Sequence, residues 1–254
     1  MMSSLVINFW IAQVITIASI YLTTFSLGLI VVKFNVKVNY TRKGVHFLMF
    51  FLPAVLISAF PHDTSVATFL LNSSVLISCM VLFIEPIRNR ISFFAIAFAS
   101  FDRPEDRPNT LFWGATQLVG IYVSVVFVIL MLQPYERVAL ITVTSIVASI
   151  GDGLAEPIGV KFGKHKYKAR GFFTEKTYYR SIEGSLCVFL TGIIAIIVLR
   201  NNFSALEFVL ALAIIPLATT VAEAFSPHTW DNPFILLTGG ASTIAVIELA
   251  SVLA

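Results

Sequence analysis

The sequence predicts an all-α protein, a polytopic bundle of about eight membrane-spanning helices, and three observations lead there. Of its 254 residues, 57% are hydrophobic and only 12% are charged, against about 25% charged in an ordinary soluble domain, so much of the apolar surface has to face lipid. Several apolar stretches reach the roughly 20 residues that a helix needs to cross a hydrocarbon core about 30 Å thick. The alternating segments of about 10 residues that build a spanning β-barrel are missing.

The first span, roughly 9–31, follows an N-terminal stretch without Lys or Arg, the pattern of a retained span rather than a cleaved secretory signal. Further spans are expected at roughly 45–60, 66–84, 111–132, 138–160, 185–199, 206–226 and 234–253. Between the third and fourth, residues 85–110 are amphiphilic. Ile91 to Phe101 is apolar between charged flanks and too short to span, which suits a helix lying in the membrane interface. Cys79 and Cys187 sit inside apolar segments with no metal-ligand or redox spacing and are expected to pack. No internal repeat or Pro/Gly-rich linker divides the chain, so one integral membrane domain over residues 1–254 is expected.

The connecting segments sort by charge. Of the 17 Lys and Arg residues, all but Arg137 and Arg200 fall within 32–44, 85–110 and 161–184. Short cytoplasmic loops carry the Lys/Arg excess. The basic segments, together with 227–233, are therefore expected on the cytoplasmic side, and both termini on the other.

The fifth span carries groups that hydrocarbon disfavours. It reads Val147-Ala-Ser-Ile-Gly151-Asp152-Gly153-Leu-Ala-Glu156-Pro157-Ile-Gly159, and a carboxylate inside a span is rare unless something needs it. Glycines let a ligand approach the backbone, and Pro157 suits a helix restart. The pattern reads as a broken helix with an acidic bend, although a simple kink with an Asp snorkelling to the membrane face would look the same. The most basic segment follows: Lys161, Lys164, His165, Lys166, Lys168 and Arg170, then Lys176 and Arg180-Ser181-Ile182-Glu183-Gly184-Ser185 at the opening of the sixth span. Topological anchoring accounts for some of these lysines, whereas hydroxyls and backbone donors at a helix start suit an anion. Carboxylates for a divalent cation beside cations for phosphate oxygens are what phosphoryl transfer requires, and Mg²⁺ prefers one or two carboxylates plus substrate phosphates.

Other polar groups cluster at the same expected face. Arg42, Lys43 and His46 open the second span and suit either lipid headgroups or a phosphate, because paired cations at a helix start do not help its dipole. Glu223 lies near the end of the seventh span, and Asp231-Asn232-Pro233 starts the eighth, as a cap or as a metal or base site. The GxxxxGK[ST], GxGxxG, HExxH and CxxC signatures are missing, so a nucleotide site here has to be of a membrane type.

In order, Arg42-Lys43-x-x-His46, Gly151-Asp152-Gly153-x-Ala155-(x)3-Gly159-(x)3-Gly163, the basic segment ending in Arg180-Ser181-x-Glu183-Gly184-Ser185, and Asp231-Asn232 resemble the polyprenol kinase family. That family includes phytol kinase, dolichol kinase and the CTP-dependent diacylglycerol kinases, and is similar to the phosphatidate cytidylyltransferases. The resemblance runs from about Thr41 onward, and its specific part is the stretch from Gly151 to Ser185. It implies phosphorylation of a membrane-embedded isoprenoid or lipid alcohol by a nucleoside triphosphate, typically CTP, with Mg²⁺. It matches Asp152 to an acidic metal or nucleotide residue, Arg180, Ser181, Glu183, Gly184 and Ser185 to a nucleotide motif, and Asp231 and Asn232 to a C-terminal polar pair. The family usually has Lys where this chain has Arg180, and Lys176 stands just upstream.

The resulting expectation is specific. Asp152, Glu183 and Asp231 are the catalytic and metal-holding acids, with one of them, Asp231 foremost, orienting or deprotonating the hydroxyl. Gly151, Gly153, Lys161, Lys164, Lys176, Arg180, Ser181, Gly184, Ser185 and Asn232 line the nucleotide, and Arg42, Lys43 and His46 meet the substrate or its phosphate. Partners are the lipid alcohol, the nucleotide and membrane lipids, with no nucleic acid. Two rival readings are cytidylyl transfer to a lipid phosphate, giving a CDP-lipid, and transport of an anionic solute, since broken helices also build transport sites.

Overall fold

The computed structural model of the protein describes residues 2–172 and 174–253, and their side chains apart from those of Met2, Ser3, Thr174 and Glu175. The chain divides into two compact units, Met1–Val119 and Gly120–Ala254.

The first unit contains α1 (Met2–Phe34), α2 (Val38–Ala59), α3 (Val66–Cys79), α4 (Glu85–Arg88), α5 (Ser92–Ala99) and the opening turns of α6 (Thr110–Leu132), which runs on into the second. Ser65 caps α3 by accepting from the Thr68 amide, and Asp63 takes both the Ser65 and Thr68 hydroxyls, at 2.5 and 2.6 Å. The apolar stretch expected to lie in the interface is the two-turn helix α5, seated on α1. Gly28 permits that approach, because a Cβ there would overlap the Ile96 carbonyl. Around the contact an aromatic core gathers Phe83 and Phe98 with Tyr21, Phe25, Phe94 and Phe101, and the Phe25 and Phe93 rings stack at 4.6 Å.

The second unit holds the rest of α6, then α7 (Ile141–Ile146), a π-helical turn (Val147–Gly151), α8 (Asp152–Phe162), β1 (Lys166–Gly171), β2 (Thr174–Ser181), α9 (Ile182–Val198), α10 (Ala205–Phe225) and α11 (Asp231–Leu253). Its buried core includes Val128, Leu132, Val143, Ile196, Ile215 and Val246. Small residues bring the helices close, as in membrane bundles: Gly192 of α9 lies against Pro216 of α10, and Gly239 and Gly240 of α11 against Thr144 and Val128.

Among the described residues, seven helical segments are long and apolar enough to cross a bilayer: Ser4–Phe34, Val38–Ala59, Val66–Phe83, Thr110–Tyr135, Val138–Phe162, Ala205–Phe225 and Asp231–Leu253. They are the helices of an integral membrane protein. Helix α9 is apolar but has 17 residues, a rise of about 25 Å.

Two expectations are corrected here. The fifth span is not broken at Asp152: the helix is continuous through the π turn into α8, and Pro157 lies inside α8 rather than at its start. A π turn absorbs one extra residue without ending the helix, and such turns concentrate at functional sites. The segment between the fifth and sixth expected spans, taken as a loop of an all-α chain, is an antiparallel hairpin in which Lys166 pairs with Ser181, Tyr167 with Arg180, Lys168 with Tyr179 and Ala169 with Tyr178. Its strands alternate as a half-buried ribbon should. Lys166, Lys168 and Arg170 are exposed while Ala169 and Tyr178 are buried.

Candidate functional site

Side chains from α8, the hairpin, α9, α10 and α11 converge on one polar cluster in the second unit. Asp152, the first residue after the π turn, is 2% exposed and accepts from Asn232 Nδ2 at 3.1 Å. Pro157 has no N–H to give, so the Gly153 carbonyl beside Asp152 lacks its helical donor. Asn232 is itself buried, and its Oδ1 has no hydrogen-bond partner among the described residues. Its neighbour Asp231 accepts from the Asn232 amide through Oδ1 at 3.1 Å, while its Oδ2 lies 3.7 Å from Arg180 Nη2.

Arg180 is the cation at the centre. From the end of β2 its guanidinium donates to the Glu223 carbonyl and, at 3.0 Å, to Ser226 Oγ, and its Nε lies 3.6 Å from Glu223 Oε1. The Arg180, Glu223 and Asp231 side chains are 11%, 5% and 12% exposed, so one guanidinium serves two nearly dry carboxylates. Glu223 carries a second connection: Ser185 Oγ donates to its Oε2 at 2.7 Å, and Tyr167 of β1 meets Ser185 Oγ at 2.6 Å. Because Ser185 spends its only proton on Glu223, Tyr167 is the donor in that last bond. Burial, and after it the charge of Glu223, pushes the Tyr167 phenol above its ordinary range.

Glycine fixes how closely these elements meet. A Cβ at Gly159 would lie 2.8 Å from Ser181 Oγ, and one at Gly184 2.7 Å from the Ala155 carbonyl oxygen, so α8 and the β2–α9 corner touch through bare backbone. Ser181 caps α9 by accepting from the Gly184 amide at 3.1 Å. Gly184→Ala is expected to destabilise the protein by about 1–3 kcal/mol, the usual cost of overpacking, read as a lowered thermal midpoint in detergent. An unchanged midpoint would show that the corner yields freely.

The α10–α11 link is tied to the hairpin as well. His228 N donates to the Arg170 carbonyl at 2.7 Å, the His228 and Tyr178 rings stack at 3.6 Å and 10°, and Phe172 meets Trp230 edge-on at 5.3 Å. Thr229 holds φ at 71°, with its hydroxyl buried and without a hydrogen-bond partner among the described residues. A β-branched residue there is strained, and such strain collects at sites that the surrounding structure over-determines. The Asp231-Asn232 pair follows directly on this strained link.

Comparison of the chain with protein-family models, curated proteins and solved structures finds no match.

The cluster overlaps the sequence expectation without coinciding with it. Asp152, Asp231, Asn232, Arg180 and Ser185 are brought together, and buried Gly151, Gly153, Ser181 and Gly184 form the backbone beneath them. Gly151 packs on Val188 and Thr191 of α9, so close helix packing, more than an exposed amide, requires it. Glu183 is placed apart from the other acids: its carboxylate accepts from the Lys164 amide at 3.1 Å, the His165 amide at 3.3 Å and His165 Nδ1 at 2.9 Å. Those donors, with its own amide first, hold its carboxyl down at about 2. Among the described residues no three His, Cys, Asp or Glu side chains form a metal-type group, so the trio of Asp152, Glu183 and Asp231 is not assembled. The acid that occupies the cluster with Asp152 and Asp231 is Glu223. Lys161, Lys164 and Lys176 are exposed on α8 and around the hairpin, and Lys161 Nζ lies 5.1 Å from the Phe162 ring. Arg42, Lys43 and His46 lie in the first unit on the opening turns of α2, where Lys43 is buried and the His46 ring lies 4.9 Å from that of Phe50.

The donor set fits the groups that the resemblance implies. Mg²⁺ takes one or two carboxylates together with substrate phosphates, and Asp152, Asp231 and the partnerless Asn232 Oδ1 supply hard oxygens of that kind. Arg180, whose Nη2 is buried without a hydrogen-bond partner among the described residues, offers a forked donor suited to phosphate oxygens.

Proposed function

We propose that the protein is a CTP-dependent kinase of a membrane-embedded isoprenoid or lipid alcohol, with eight membrane-embedded helices and its site at the cytoplasmic face. The observation that carries the reading is the meeting, among the described residues, of the buried acids Asp152, Glu223 and Asp231 with the guanidinium of Arg180, 11% exposed, at the hairpin. In this reading Asp152, Asp231 and Asn232 hold Mg²⁺, which supplies charge neutralisation on the transferring phosphoryl group. Arg180 and the exposed lysines of the hairpin attract and orient the triphosphate. The alcohol's chain lies among the apolar helices with its hydroxyl at the acids. The cytoplasmic assignment rests on the Lys/Arg bias of the loops.

The test is incubation of purified, reconstituted protein with labelled CTP or ATP and a panel comprising phytol, geranylgeraniol, a polyprenol and diacylglycerol, with Mg²⁺, followed by separation of products. Phosphorylated alcohol with release of CDP is the expected result. A CDP-lipid with pyrophosphate, formed when phosphatidate is supplied, would replace this reading with cytidylyl transfer, and solute uptake without nucleotide consumption would replace it with transport.

A further inference from the structure

Glu223 is the most enclosed acid of the cluster that also has a route out of it. Asp231 has both oxygens engaged, Oδ1 by the Asn232 amide and Oδ2 facing Arg180, and Asp152 accepts from Asn232. Glu223 differs in holding the inner end of a hydroxyl chain: Tyr167 OH donates to Ser185 Oγ and Ser185 donates to Glu223 Oε2, at 2.6 and 2.7 Å. Its other oxygen, Oε1, lies 3.6 Å from Arg180 Nε, beyond hydrogen-bond range. Tyr167 is half-buried on β1 between exposed Lys166 and Lys168, so the chain runs from a buried carboxylate to the exposed hairpin. Two hydroxyls, each able to donate and accept, conduct a proton by reversing their bonds without moving any residue.

We propose that Glu223 is the base that takes the acceptor's proton, and that Ser185 and Tyr167 relay it to the hairpin surface. This rests on the kinase reading above and adds to it the acid that acts on the hydroxyl and the path the proton takes. As the alcohol oxygen bonds to the γ-phosphorus and the bond from that phosphorus to the β,γ-bridging oxygen breaks, the hydroxyl proton passes to Glu223 Oε1 and CDP leaves with the bond's electron pair. A half-turn of the carboxyl group presents the proton to Ser185 Oγ. Ser185 passes its own proton to Tyr167, and Tyr167 releases one to water, which restores the starting state. The charged or titratable groups that bear on Glu223 are Arg180 from β2, Asp231 from α11, Asp152 from α8, Tyr167 from β1 and the Cys187 thiol from α9.

Two readouts test it on the full chain in vesicles. In turnover with CTP and the best alcohol of the panel, Glu223→Gln is expected to cost about 10²–10⁴-fold in kcat, the usual worth of general-base catalysis. Tyr167→Phe and Ser185→Ala should each lower kcat by about 10-fold or more with KM for the alcohol unchanged and an altered pH profile, and Ser185→Thr should recover the loss. In infrared difference spectra across a pH titration, the carboxyl band that vanishes in Glu223→Gln should shift in Ser185→Ala, since that variant removes its hydroxyl donor. Wild-type kcat and pH profile in both Tyr167→Phe and Ser185→Ala, or a Glu223 band indifferent to Ser185, would overturn the relay. If the wild-type chain phosphorylates no alcohol, the kinase reading falls, and the infrared arm alone then decides whether carboxyl and hydroxyls form one chain.

Discussion

Asp152→Asn is expected to lower phosphorylation of the lipid alcohol by at least about 10²-fold, the scale on which a pre-organised electrostatic group contributes to a transition state, while the protein stays folded in the membrane. The substitution is nearly isosteric. Asn232 Nδ2, 3.1 Å from Asp152 Oδ2, finds an amide oxygen in place of the carboxylate oxygen, so the join between α8 and α11 persists. What disappears is one negative charge at a site 2% exposed, where the low local dielectric makes that charge count most. The measurements are initial rates in vesicles, with membrane yield and thermal midpoint as controls on folding. An Asp152→Asn protein that turns over at near the wild-type rate would remove Asp152 from the chemistry and leave it a packing acid. A variant missing from the membrane fraction would instead mean that the carboxylate holds the π turn in place.

The helical frame was legible in the sequence because its signal is crude: twenty apolar residues in a row have few alternatives in water or lipid, and each expected span lies on a helix of the structure. The hairpin was hidden for the opposite reason. Its alternation is present in Lys166-Tyr-Lys-Ala-Arg-Gly171, but the outward residues are Lys and Arg, which in a membrane protein are first read as topological charge. The π turn could not be seen, since one extra residue in a helix leaves composition and apolar periodicity almost unchanged. Local pattern singles out Asp152, Arg180, Ser185, Asp231 and Asn232, and the fold brings these five side chains into one cluster. Glu183 was misplaced because sequence adjacency to Arg180 says nothing about direction: β2 ends at Ser181, and Arg180 faces α10 and α11 while Glu183 turns toward Lys164 and His165. Glu223 carried a signal, a carboxylate inside an apolar span, yet its partners Arg180 and Ser185 lie 43 and 38 residues away and no local motif joins them.

Arg180→Gln is expected to destabilise the folded protein by about 3–5 kcal/mol, the range seen when one partner of a buried ion pair is removed. The guanidinium contacts the Glu223 carbonyl, Ser226 Oγ and the carboxylates of Glu223 and Asp231, and glutamine, shorter and neutral, reaches fewer of them and offsets neither charge. In thermal unfolding this amounts to a fall of roughly 10 °C for a chain of this size. Arg180→Lys keeps the charge and gives up the fork, so the loss should be smaller, about 1.5–3 kcal/mol, the worth of a charge-assisted hydrogen bond. Two further comparisons separate electrostatics from packing. Protonating a carboxyl removes an uncompensated charge, so the gap between Arg180→Gln and wild type should narrow as the pH falls. Adding Glu223→Gln to Arg180→Gln should recover part of the lost stability, since the double variant has one fewer buried charge to leave unpaired, a non-additivity of the kind that coupled neighbours show. Strictly additive losses, or an Arg180→Gln protein as stable as wild type at every pH, would mean that the acids of the cluster do not depend on Arg180 for their place in the fold.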